Sequence, residues 1–246
     1  LAPCIQAQEP GTAGPSPRLR PLPEVIGVTH VAGKYHLTDK DFLNEGADQI
    51  LKLGSRVIKV WFEARPGKSY PYNSHWPQIT SLVELARTQY FYELFDKPFS
   101  TYVLMCFSVG NGAAYFRSGM SEDQKAQEQE QFYQLARHLL TRYNGTGKTF
   151  VLQHWEGDWL IRGNYDAKTE PTEEAIGGMI DWLGARQAGV NQARAEVASD
   201  NVHVYCAAEV NRVVDSMKQG RPNLVNKVLH LADDVLLLPG DSTGVD

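Results

Sequence analysis

The chain has 246 residues, of which 42% are hydrophobic and 22% charged, enough to bury one large core within a single domain. A formal net charge of -5 leaves no basic footprint for nucleic acid and no polybasic patch for a membrane surface, so a neutral or weakly charged partner fits best. No run of residues approaches the roughly 18 consecutive apolar positions that a membrane helix needs.

Residues 1–7 read Leu-Ala-Pro-Cys-Ile-Gln-Ala and end on a small residue, as the tail of a secretory signal cut after Ala7 would. Residues 8–23 are rich in Pro, Gly and Ser and are expected to form a flexible arm, so residues 1–23 are set apart from a folded unit at 24–246. A secreted or extracytoplasmic location follows from that reading.

From residue 24 onward, short β-branched or apolar runs recur at 25–29, 57–62, 102–107, 149–154, 202–207 and 235–238, and each fits a buried parallel strand. Polar segments with helical periodicity separate them, at 41–53, 79–95, 121–143, 172–198 and 212–231. Ser121 with Gln124 has the form of a capping box, and Thr172 before Glu173 and Glu174 marks another helix start. Strands and helices alternating at these lengths imply a parallel sheet with right-handed crossovers. Cys106 and Cys206 fall inside strand-like runs, where a free cysteine behaves as a small buried hydrophobe.

Two α/β architectures compete. A dinucleotide fold needs a glycine-rich phosphate turn after the first strand, and Thr29-His30-Val31-Ala32-Gly33-Lys34 is not one. Polar and aromatic residues gather instead where the strands end, which is where a barrel places its active site. The expected fold is therefore a TIM-type (β/α) barrel with six strands identified. A complete barrel has eight, so the last two β/α units are expected to be missing, leaving open strand edges that invite a homodimer.

The stretch 149–159 carries the most chemistry. A hydrophobic strand delivers His154, Trp155 and Glu156 to its carboxyl edge, followed by Asp158 and Trp159. Glycoside hydrolysis needs a carboxylic acid to protonate the leaving oxygen, and an aromatic wall favours the protonated form of such a group. Trp155 and Trp159 supply that wall and a surface for a sugar ring.

With its fourth strand ending in Glu156, the chain resembles the retaining β/α-barrel glycoside hydrolases, the superfamily of cellulases, mannanases and β-galactosidases. Residues 46–61 are similar to their first helix and second strand, where a helix ends in Leu-Gly and a strand bears a basic residue, here Lys59. The resemblance implies that Glu156 is the acid/base. Family members carry Asn directly before it, whereas this chain has Trp155, with His154 left to meet a sugar hydroxyl. The family nucleophile, a Glu ending strand seven, has no counterpart in the strands identified, so Glu209 and Asp158 stand as candidates for the second carboxylate.

Further binding residues follow from position. Strand alternation puts Lys59, Trp61 and Glu63 on one face, where Lys59 would balance a catalytic carboxylate or form a structural ion pair. His30 and Asn211 end strands one and five and would bind sugar hydroxyls, and Tyr70, Tyr72 and Trp76 form an aromatic loop after strand two. Neither a metal nor a cofactor is expected, because no Cys/His spacing suggests zinc. Three alternatives remain: a noncatalytic carbohydrate-binding barrel, a metal-dependent hydrolase using His30, His154, Glu156 and Glu209, and a serine esterase built on Gly240-Asp241-Ser242-Thr243-Gly244.

Overall fold

A computed structural model describes residues 21–30, 36–229 and, for the backbone, 236–239. The N-terminal arm through residue 20 and the esterase-like stretch 240–244 lie outside the described residues. Among the described residues six strands form one sheet: β1 (Gly27–His30), β2 (Val57–Phe62), β3 (Thr101–Cys106), β4 (Thr149–Gln153), β5 (His203–Val210) and β6 (Leu236–Pro239). They lie side by side in chain order, and every neighbouring pair is parallel. A doubly wound sheet reverses its strand order part-way; this one does not.

Alternation along β2 sorts its side chains. Ile58, Val60 and Phe62 are buried, while Val57, Lys59 and Trp61 are half-buried on the opposite face. That opposite face is concave, as one contact shows. Lys59 stands in register with Val103, Val151 and then Tyr205, four residues before Glu209 on β5. In a flat sheet, three strand spacings of about 4.8 Å and four residues of rise would separate the Lys59 and Glu209 Cα atoms by about 19 Å, further than the two side chains can span. Their Nζ and Oε2 atoms are nevertheless 3.0 Å apart, so the sheet curls around this face.

The helices that cover the outer face follow the local signals. In α1 (Phe42–Lys52), the Asp41 side chain caps the first turn by accepting from the Asn44 N–H at 3.0 Å. α5 (Glu122–Arg142) opens with the expected capping box between Ser121 and Gln124, and α7 (Glu173–Glu196) opens at Thr172. α5 and α7 lie close together because position 189 has no side chain: a Cβ there would run into the Gln129 carbonyl. Between them the Arg186 guanidinium donates to Glu128 at 2.7 Å, and the Tyr115 hydroxyl donates to the other Glu128 oxygen at 2.7 Å.

Two expected helices are divided. Residues 79–95 hold α3 (Leu82–Ala86) and α4 (Gln89–Asp96), because the Thr88 hydroxyl donates to the Leu85 carbonyl at 2.9 Å and accepts from the Phe91 N–H at 3.4 Å, ending one helix and starting the next. Residues 212–231 hold α8 (Val213–Gln219) and α9 (Leu224–Lys227), separated by a left-handed Gly220 and by Pro222, which cannot donate the helical bond that continuation requires. Two short α-helices among the described residues were not expected, α2 (Pro66–Ser69) and α6 (Gly157–Arg162). Among the described residues no helix is long and apolar enough to cross a membrane. Cys106 and Cys206 are free and buried, and burial pushes the Cys206 thiol up to about 12.

Candidate active site

The turn from β4 into α6 builds the site. β4 ends at Gln153, and His154 and Trp155 lead into Glu156, whose backbone is left-handed at φ 48° and ψ 56°. That region costs a side-chain-bearing residue on the order of 1–3 kcal/mol and persists only where surrounding contacts impose it. Here they do. The Glu156 N–H donates to Glu209 Oε1 at 3.1 Å, and its carbonyl accepts from Trp159 and Leu160 at the start of α6. The next position must be glycine, since a Cβ on Gly157 would collide with His154, Leu224 and the Glu209 carbonyl.

This turn opens onto a cleft of about 600 Å³. Its walls carry three indoles, Trp61, Trp155 and Trp159, and two carboxylates, Glu63 and Glu156. Trp61 and Trp155 meet edge to face at 4.4 Å between ring centroids, joining the ends of β2 and β4. The guanidinium of Arg212 lies 5.3 Å from the Trp159 ring centre and that of Arg162 5.7 Å from it. Tyr165, largely exposed on the rim, lies 5.8 Å from Trp159 between ring centroids, and its interaction with the nearby Glu156 carboxylate raises the Tyr165 pKa above its ordinary value. Glu63 accepts from the Ser69 hydroxyl at 3.2 Å. Arg65 is exposed beside it.

No protein-family model, curated protein or solved structure matches this chain.

The cleft thus gathers five of the residues expected from the sequence: Trp61, Glu63, Trp155, Glu156 and Trp159. The remaining candidates are engaged elsewhere. Glu209 is fully buried; its Oε2 accepts from Lys59 at 3.0 Å and from the Gln153 amide, and its Oε1 from the Glu156 N–H. It neither caps α8 nor pairs with Arg212, which binds Asp215 at 2.9 Å. Asp158 is fully buried beneath the turn. Its Oδ2 accepts from the N–H groups of Asn211 at 2.7 Å and Arg212 at 2.9 Å, and its Oδ1 from that of Leu224 at 2.9 Å. Lys59 serves Glu209 and faces the concave interior.

The histidines are structural neighbours of the site. The His30 ring packs beneath α1, with Nε2 3.0 Å from the Phe42 carbonyl oxygen, and burial lowers its pKa. His154 is fully buried against Trp182, and burial, reinforced by the Arg186 charge, lowers its pKa to about 3. Asn211 is fully buried and its side-chain amide finds no partner. Tyr70 is also buried; its hydroxyl donates to the His30 carbonyl and accepts from the Trp61 N–H, each at 2.9 Å, tying β1 to β2. Among the described residues no three His, Cys, Asp or Glu side chains are grouped to hold a metal ion.

Among the cleft residues that went unnoticed in the sequence are Arg65 and Tyr165. Arg65 continues the alternation of Lys59, Trp61 and Glu63 by one step, a signal that was present. Tyr165 lies nine residues past Glu156 in a polar turn after α6, where periodicity carries no information about direction.

Proposed function

We propose that the cleft binds a carbohydrate and that the protein is a glycoside hydrolase, with Glu156 as the acid that protonates the leaving oxygen. One observation carries this reading: Glu156 and Glu63 border the same cleft, whose walls include three indoles, Trp61 and Trp155 at the carboxyl ends of β2 and β4 and Trp159 in α6. Indole faces suit the apolar faces of sugar rings, and polar groups at the rim suit their hydroxyls. The curled sheet is read as the wall of a β/α barrel, with its site where barrels place it.

The chemistry needs two carboxyl groups flanking the scissile bond. Glu209 and Asp158 are committed to internal donors, so the second role passes to Glu63. Glu156 gives its proton to the glycosidic oxygen as the bond to the anomeric carbon breaks. Glu63 acts at the anomeric carbon from the other side, either directly or through a water. An extracytoplasmic location suits an enzyme that meets glycans there.

The test is a panel of unactivated glycans with reducing-end detection. Glu156→Gln keeps the shape but has no acidic proton, and it is expected to slow cleavage by roughly 10² to 10⁴. On aryl glycosides with good leaving groups the same variant should lose much less, whereas Glu63→Gln should slow both substrates. Unchanged cleavage of a natural glycan by Glu156→Gln overturns the assignment. A noncatalytic binding role is the second reading, favoured by the exposed Tyr165 that engages the Glu156 carboxylate and packs on Trp159 at the rim; glycan affinity without turnover would establish it.

A further inference from the structure

We infer that Glu209 is a positioning residue for Glu156: its buried carboxylate, charged against Lys59, holds the acid's backbone in the left-handed turn that presents the side chain to the cleft. The inference rests on the reading of Glu156 as the general acid. Glu209 does not border the cleft, so it acts only through its contacts.

Those contacts converge from three directions. Lys59 reaches in from β2, the Gln153 amide from β4, and the Glu156 N–H from the turn itself. All three are donors and Glu209 is their common acceptor. A carboxylate is the side chain that accepts from three donors without presenting one of its own. The same residue meets the turn a second time, because its backbone carbonyl fills the space that a Cβ on Gly157 would need. Glu209 therefore cradles both residues of the turn, the left-handed Glu156 and the side-chain-free Gly157. If the Glu156 N–H lost this acceptor, its backbone would relax toward an ordinary conformation and swing the carboxyl off the cleft. A displacement of about 1 Å at a reacting group costs on the order of 10² in rate.

Two double variants separate positioning from general support. Lys59→Met/Glu209→Gln removes the buried charges together but keeps an oxygen that accepts from the Glu156 N–H. Lys59→Met/Glu209→Leu removes the same charges and the acceptor. Positioning requires the first to keep kcat within about tenfold of the parent, and the second to lose on the order of 10²-fold, with KM similar in both. Equal kcat in the two double variants, whether both high or both low, overturns it.

A readout that needs no substrate keeps the inference testable if the parent cleaves no glycan, an outcome that would sink the glycosidase reading alone. Glu156→Gly relieves the left-handed strain only where that conformation is imposed. Its effect on melting temperature should thus be more favourable, by a few degrees, in the parent than in Lys59→Met/Glu209→Leu. The entropy that glycine adds to the unfolded chain is common to both backgrounds and cancels. Identical effects in the two backgrounds would show that Glu209 does not impose the turn.

Discussion

His154 stands two residues before Glu156, and its burial makes it sensitive to acid. Its folded pKa is depressed to about 3, below an ordinary value of 6.5. As the pH falls through 6.5 the unfolded chain gains a proton that the folded chain refuses, so stability is present above that pH and is lost toward pH 3. A single such group costs about 2 kcal/mol between pH 7 and pH 5. His138, lowered to about 4, and His30, also lowered, act in the same direction. Urea unfolding at the two pH values should show the parent losing about 2 kcal/mol more than His154→Gln; equal losses would mean that His154 is not held neutral. At this scale the sequence was informative about which stretch carries the site, since a hydrophobic strand running into Trp155 and Glu156 identifies its own carboxyl edge. It could not show that Asp158 turns away from the cleft that Glu156 borders. Two carboxylates two residues apart share a face in a strand but not across a left-handed turn, and that turn depends on Glu209, 53 positions away.

Elements were the most legible level. Six hydrophobic runs became six strands, offset by no more than three residues at either end, with Val235 of the last run outside the described residues. Caps at Ser121 and Thr172 started helices as expected, because their hydroxyls satisfy amides that any helix leaves open. The break within 79–95 escaped because apolar periodicity continues across Thr88, so only the competing side-chain bonds of that residue reveal it, whereas Gly220 and Pro222 signalled the break within 212–231 in the sequence itself. Helix contacts were equally invisible. Nothing local distinguishes Gly189 from other glycines of α7, such as Gly177 and Gly184, where an added Cβ meets open space. Gly189→Ala should destabilise the protein by about 1–3 kcal/mol by wedging α7 from α5, while Gly184→Ala should stabilise by about 0.5–1 kcal/mol through helix propensity. Chemical denaturation of the two variants checks the contrast, and similar shifts would remove the close-approach argument.

At the scale of the whole molecule, alternation along β2 shows which residues share a face but not what that face meets. The pairing of Lys59 with Glu209 spans 150 positions and exists because the sheet curls. Asp158 joins parts of the chain as widely separated: one buried carboxylate accepts from amides on either side of α8, at residues 211, 212 and 224. Two of these amides lie in the connection from β5 to α8 and the third opens α9, yet water reaches them only when the carboxylate lets go. Their hydrogen–deuterium exchange should therefore resemble that of β4 and β5 and not that of the exposed turn at 163–166, and in Asp158→Asn the three should accelerate together. Three unrelated exchange rates would mean that each connection opens alone. If this floor opens only as one cooperative unit, motion that admits a ligand falls to the rim, where Tyr165 lies near Glu156.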